Sequence, residues 1–395
     1  MELKSYSPSI NKKLEVKSLK SISENKIATC GNLLKINVGT QKNPKCKNYD
    51  NSKVKKILLK NLKSSKHVNP ELFIPPKQIN ANCWFNTMFV AFFFSDKGRK
   101  FFRFFRELMI KGVKVDGTKI EDRVLRELFF ILNLYIQTSY NKNNDINKIK
   151  ITKRFKNIER LKNIERLKNI ERPKNIKRLK NIKTLKKNNI SIQSLHNILR
   201  TITNNLDTNY FIKIIHERIA KLTFNNNIPD TGDAGNPIMY YKSIMNYLNY
   251  DSLKLMDITI EDKQNIKNFL NYRLHSYYQI PDIILINDME SKSKYDLDYN
   301  LEIKNKTYNY KLDSIILTNK GFFKPKENKH FVCVCTINKI GYKFDGDSYS
   351  RLSRFNWKKL LNVNKDWAFI ENTNYYAEKY NLTKGYKILF YYRDT

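Results

Sequence analysis

A chain of 395 residues has room for one large domain or two ordinary ones, and 41% hydrophobic with 13% aromatic content supplies enough apolar material for a sizeable core, which excludes full disorder. A formal net charge of +37 ordinarily points to a polyanion partner. Most of that excess falls in residues 1–77 and 141–190, two Lys-rich stretches that read as peripheral to a core.

Residues 1–68 are polar and weakly patterned, so they are expected to form a basic, partly disordered arm with a short helix near Val54–Leu62. Asn69-Pro70 and Pro75-Pro76 mark an extended lead into a folded body spanning 69–395. Trp84–Phe94 is apolar on nearly every side, the profile of a buried helix. Arg99–Ile110 and Glu121–Tyr140 follow as helices, the second carrying Val124, Leu125, Leu128, Leu132 and Ile136 at helical spacing.

Residues 156–185 repeat Lys-Asn-Ile-Glu-Arg-Leu with drift, inside a low-complexity insertion placed at 141–190. A period of six does not match 3.6, and Pro173 interrupts it, so the repeat reads as a looped surface insertion. The sharper reading is a basic tether for nucleic acid or a membrane surface. Helical patterning resumes at Ile192–Ile202, Tyr210–Leu222 and Met239–Leu248. From Tyr278 the texture turns to strands: Asp282–Ile286, Leu301–Ile303, Tyr308–Leu317, His330–Ile337, Gly341–Phe344 and Lys387–Tyr392. Helices first and strands second indicate an α+β protein.

Five cysteines, Cys30, Cys46, Cys83, Cys333 and Cys335, form an odd set without paired spacing, which argues against a disulfide scaffold and for a reducing, cytoplasmic setting. No apolar leader opens the sequence, and the longest apolar run, Met88–Phe94, is too short for a bilayer, so no membrane partner is expected. Cys333-x-Cys335 has no second pair, so no zinc or other cofactor is implied.

Cys83 directly precedes the apolar helix, with Asn82 as its expected cap. A thiol attacks as the thiolate, which free backbone N–H groups at a helix start and a nearby imidazolium both favour. Amide hydrolysis also needs a donor for the developing oxyanion; Gln78 supplies a side-chain amide, with Asn80 and Asn82 as nearer alternatives. Of His67, His196, His216, His275 and His330, only His330 opens a strongly β run followed by a second strand that ends in acids, Asp345-Gly346-Asp347. A hairpin of that kind sets Asp345, or on the same face Asp347, beside the imidazole as its orienting acid.

Gln78-x-x-x-x-Cys83-Trp84 is similar to the active-site box of papain-like cysteine proteases. Asn82-Cys83-Trp84-Phe85-Asn86-Thr87 resembles the Asn-Thr-Cys-Tyr-Met-Asn-Ser box of the ubiquitin-specific proteases within them. His330-Phe331-Val332 resembles that family's His-Tyr-x box, and Tyr342-Lys343-Phe344-Asp345 its Trp-x-x-Phe-Asp-Asp strand. Tyr386–Arg393 resembles its closing Ala-Tyr-x-Leu-Phe-Tyr-x-Arg strand, and Asp233-Ala234 its Gln-Asp-Ala-x-Glu-Phe box.

The resemblance implies a papain-like fold, a helical half packed against an antiparallel β half. It implies Cys83 as nucleophile, His330 as base, Asp345 as orienting acid and Gln78 at the oxyanion. The reaction would be thiol-dependent hydrolysis at the C-terminal glycine of ubiquitin or a ubiquitin-like modifier. Heavy use of Lys, Asn and Ile reads as A/T-rich coding and suggests a source such as a large DNA virus, a parasite or an endosymbiont. Alternative readings are a viral polyprotein-processing cysteine protease, an inactive homologue that only binds the modifier, and a basic nucleic-acid-binding or structural protein acting through the arm and repeat.

Overall fold

A computed structural model describes residues 30, 33–40, 42–63, 70, 73–79, 81–140, 208–220, 237–248, 255–275, 280–319, 330–348, 351–369 and 378–394. The repeat, the 141–190 insertion, the expected helix Ile192–Ile202 and Asp233-Ala234 lie outside these residues.

Strands β1 (Lys35–Asn37) and β2 (Cys46–Asn48) form an antiparallel hairpin, followed by α1 (Ser52–Lys63). This stretch was expected to belong to a loosely ordered arm, yet Val54 and Leu58 of α1 are fully buried and the Tyr49 ring lies 5.3 Å from that of Phe130. The lysines hide an amphipathic pattern: the charges face out while apolar residues join the core. The cysteine reading is corrected too. Cys30 and Cys46 are joined as a disulfide with Cα atoms 6.0 Å apart, while Cys83, Cys333 and Cys335 remain free thiols.

Helix α2 (Cys83–Phe93) has all eleven side chains buried, and it packs against the sheet. The helix expected over Arg99–Ile110 is two, α3 (Asp96–Phe101) and α4 (Arg103–Lys111), broken at Phe102. Then come α5 (Arg123–Ser139), α6 (Asn209–Ile215) with a wider π turn at His216–Ala220, and α7 (Pro237–Tyr247).

The β half is one eight-stranded sheet built from β3 (Leu255–Ile260), β4 (Ile283–Asp288), β5 (Asp298–Ile303), β6 (Lys306–Thr318), β7 (Phe331–Ile337), β8 (Ile340–Phe344), β9 (Leu352–Arg354) and β12 (Lys387–Asp394). The strand order is β3-β4-β12-β6-β7-β8-β9, with β5 added on β6. Every pairing is antiparallel except β3 with β4, which run parallel and are linked across α8 (Ile266–His275). This βαβ unit amends the simple order of helices then strands. A two-stranded ribbon, β10 (Trp367–Ala368) and β11 (Lys379–Tyr380), lies apart from the sheet.

Period-two alternation divides the sheet's residues between two cores. Phe331, Cys333, Cys335, Phe344, Ile388 and Phe390 face the helices, with α2 at the centre. Val332, Val334, Ile315, Leu389 and Tyr391 face the other way, onto α8 and Trp357. Each fully buried Leu, Ile or Phe contributes about 1.5–3 kcal/mol relative to exposure. Because α2 carries eleven buried residues, the start of that helix is held to the sheet by the densest part of the core.

A buried polar link joins the halves. On β6, buried Asp313 accepts from the backbone N–H groups of Lys97 at 2.9 Å and Gly98 at 3.4 Å, where α3 begins. Within the sheet, Lys387 Nζ on β12 lies 2.7 Å from Asp288 Oδ2 on the adjacent strand β4, both side chains almost wholly buried.

Candidate active site

Cys83 is the first residue of α2, where backbone N–H groups lack helical partners. The site around it forms where the lead-in segment 73–79 passes between that helix start and the end of β8. Arg351 Nη1 donates to Pro75 O at 2.7 Å, and Gln78 N donates to Gly346 O at 2.8 Å, so the segment lies along the β8–β9 loop. Gly346 permits this approach: a Cβ there would sit 3.0 Å from Gln78 N and 3.1 Å from Gln78 Cβ.

His330 directly precedes β7 and is mostly buried. Its Nε2 lies 2.8 Å from Asp345 Oδ1, and the Cys83 sulfur is the ring's other hydrogen-bonding partner. With Nε2 engaged, Nδ1 is the nitrogen left to face the sulfur. Burial opposes a charged imidazole, but the Asp345 carboxylate and the Cys83 sulfur outweigh it and hold His330 up at about 10. The ring is therefore an imidazolium at neutral pH, the partner that a thiolate needs.

The two candidate acids separate clearly. Asp345 is buried and meets the imidazole. Asp347 is exposed, and its backbone N–H donates to Asp345 Oδ1 at 2.9 Å, holding that carboxylate in place. Asp345 sits immediately after the end of β8, and its own N–H donates to Arg351 O at 2.9 Å.

The three amides also separate. Gln78 lies beside Gly346, and its Oε1 is buried without a hydrogen bond among the described residues. Asn82 precedes α2 but makes no side-chain cap, which corrects the expectation. Its Oδ1 accepts from Ile79 N at 3.0 Å and its Nδ2 donates to Thr208 Oγ1 at 3.1 Å, so both ends of the amide are occupied. Asn80 lies outside the described residues, as do His67 and His196. His216 falls in the π turn after α6 and His275 at the exposed end of α8.

Sequence reasoning missed three neighbours. Thr208 and Asn209 begin α6 and touch the residues around Cys83 through hydrogen bonds; two small polar residues ahead of an apolar run carry no distinctive signal. Tyr380 on β11 is buried, donates to Glu378 Oε2 at 2.7 Å and feels the charges of both Asp345 and Cys83, with burial pushing its hydroxyl well up. Cys333 and Cys335 point into the core from β7 and are fully buried, and the neighbouring Cys333 together with burial raises the Cys335 thiol. Among the described residues no cluster of His, Cys, Asp and Glu could hold a metal ion, and no helix is long and apolar enough to cross a membrane.

No protein-family model and no curated protein matches the chain. Among solved structures the chain is similar to a yeast SAGA DUBm containing mutant Sgf73, at 9% identity and a TM-score of 0.38, over 84% of this chain and 70% of that one. It is similar also to the Ubp8-Sgf11-Sgf73-Sus1 SAGA DUB module, at 11% identity and a TM-score of 0.35, over 81% of this chain and 67% of that one. These similarities lend no support to a viral source.

Proposed function

We propose that this protein is a papain-like thiol hydrolase that cleaves the isopeptide or peptide bond at the C-terminal glycine of ubiquitin or a ubiquitin-like modifier. One observation carries the chemistry: the His330 imidazole lies between the Asp345 carboxylate, 2.8 Å away, and the Cys83 sulfur at the start of a buried helix. The order and spacing of the boxes around Cys83, His330, Asp345 and Tyr386–Arg393 support the substrate class.

Cys83 attacks the scissile carbonyl as a thiolate, and the carbonyl oxygen gathers negative charge. The Cys83 backbone N–H and the Gln78 amide are the donors available to it. His330 protonates the departing amine, which leaves the modifier as a thioester on Cys83. The now neutral imidazole takes a proton from water, the resulting hydroxide attacks the thioester, and Cys83 departs as thiolate. Asp345 keeps the ring oriented throughout.

The test is incubation with ubiquitin carrying a C-terminal electrophile, followed by peptide mapping. Labelling is expected at Cys83 and absent in Cys83→Ala. Labelling spread equally over Cys333 and Cys335, or unchanged hydrolysis by Cys83→Ala, would overturn the assignment.

A further inference from the structure

The backbone around Gln78 is held at four polar groups. Lys77 O accepts from Asn86 Nδ2 at 3.2 Å, and Gln78 N donates to Gly346 O at 2.8 Å. Ile79 N donates to Asn82 Oδ1 at 3.0 Å, and Ile79 O accepts from Asn209 Nδ2 at 2.8 Å. The anchors come from the start of α2, the β8–β9 loop and the start of α6.

Behind these anchors lies a closed ring of side chains. Asn82 Nδ2 donates to Thr208 Oγ1 at 3.1 Å, Thr208 Oγ1 donates to Asn86 Oδ1, and Asn86 Nδ2 donates to Asn82 Oδ1 at 3.2 Å. All three residues are fully buried. A ring of this kind costs desolvation and is tolerated only when its members are satisfied. What the ring adds is a single geometry for the chain that leads into Cys83.

Four backbone groups of 77–79 are thus tied down, while the Gln78 side chain keeps a buried amide atom without a hydrogen bond among the described residues. The two ends of an amide are nearly the same size, so half a turn presents an N–H from the same place.

We propose that Thr208 and Asn209 are positioning residues for oxyanion stabilisation: acting directly and through Asn82 and Asn86, they fix the 77–79 backbone so that the Gln78 amide meets the reacting carbonyl oxygen. The proposal rests on the thiol-hydrolase reading given above. Neither residue touches substrate. Their effect is felt where charge develops, so it belongs to the chemical step more than to binding.

The experiment compares full-length Thr208→Val, Thr208→Ser and Asn209→Ala with wild type. Valine keeps the volume and removes the hydroxyl; serine restores it; Asn209→Ala removes the link to Ile79 O, at a less buried position. Turnover of a fluorogenic ubiquitin C-terminal amide is expected to lose roughly 10- to 100-fold in kcat with Thr208→Val. KM should stay nearly constant, and so should the rate at which iodoacetamide alkylates Cys83, because the imidazolium is untouched. Thr208→Ser should recover kcat. Amide hydrogen exchange at Gln78 and Ile79 should quicken in Thr208→Val and Asn209→Ala.

Unchanged kcat in folded Thr208→Val overturns the proposal, as does failure of serine to restore it. If wild type does not turn over this substrate, the proposed function fails, and exchange alone then judges the clamp. Faster exchange confined to residues 78 and 79 sustains it, and unchanged exchange sinks it.

Discussion

His330 Nε2 and Asp345 Oδ1 stand 2.8 Å apart, and the Asp347 backbone N–H donates to that same oxygen at 2.9 Å. The carboxylate is therefore oriented by its own loop before it orients the ring. Asp345→Asn keeps the shape and loses the charge. It should lower kcat by about 100-fold or more while KM changes little, because general acid–base catalysis is worth that much. Asp347→Ala keeps the backbone donor and should leave kcat within a few-fold, as steady-state kinetics would show.

The imidazolium also bears on stability. The folded-state pKa of His330 is raised from 6.5 to about 10, so the folded protein holds a proton across that window that the unfolded chain releases. Its contribution is complete below about 6.5 and lost as pH rises through 10. Urea unfolding between pH 6.5 and 10 should show stability falling, and His330→Gln should flatten that slope. An unaltered slope in the variant would mean that the proton is held elsewhere.

Asp313 should act in the same direction, at lower pH. Burial pushes its carboxyl from 3.8 to about 6, against the pull of Ser95 and the backbone donors of Lys97 and Gly98. The folded state binds the proton more tightly, so stability falls as pH rises through that range. Asp313→Asn removes the titrating group, and the urea midpoints at pH 4.5 and pH 7 should then move together.

Gly346→Ala tests the close approach to the lead-in segment. The added methyl would sit 3.0 Å from Gln78 N, so the segment must shift and the 2.8 Å bond to Gly346 O lengthens. The shift required is a few tenths of an ångström, and a roughly 1 Å misplacement of a catalytic group costs about 100-fold in rate, so a loss of several-fold is expected. Activity should fall far more than the melting temperature, and the two can be measured on one preparation.

Lys387 and Asp288 form a buried pair at 2.7 Å. Lys387→Met strands a carboxylate in the core and should cost about 3–5 kcal/mol in urea unfolding. Replacing both partners with apolar residues of similar size should restore much of that loss, because the penalty lies in the unpaired charge.

Much of the β half is readable in the sequence. The runs from Tyr308, His330, Gly341 and Lys387 alternate or are uniformly apolar, and they become β6, β7, β8 and β12 within a few residues. Cys83 is readable because its neighbours carry chemistry at short range: Gln78, Trp84 and an apolar helix. The strand Leu255–Ile260 was missed because polar Asp257 and Thr259 dilute its pattern, although the edge position it occupies accepts them. The Cys30–Cys46 link was missed because pairing is a matter of distance in space, and a single pair in a lysine-rich stretch has no distinctive spacing. Thr208 and Asn209 meet Asn82 and Ile79 across more than a hundred residues, and no local rule connects them. The choice of Asp345 over Asp347 depends on how the chain turns after β8, which side-chain alternation alone leaves open.

Helix α2 begins with Cys83 and exposes none of its eleven side chains. Most enzymes let part of their machinery loosen locally while the rest of the molecule holds together. A thiol set at the end of such a helix has no such freedom, because a partial opening that released it would disrupt the main core. Loss of the reactive thiol geometry and loss of the native state should therefore belong to one cooperative event. The position of Cys83 should thus report on the main core, even where the lead-in segment or the β8–β9 loop opens on its own.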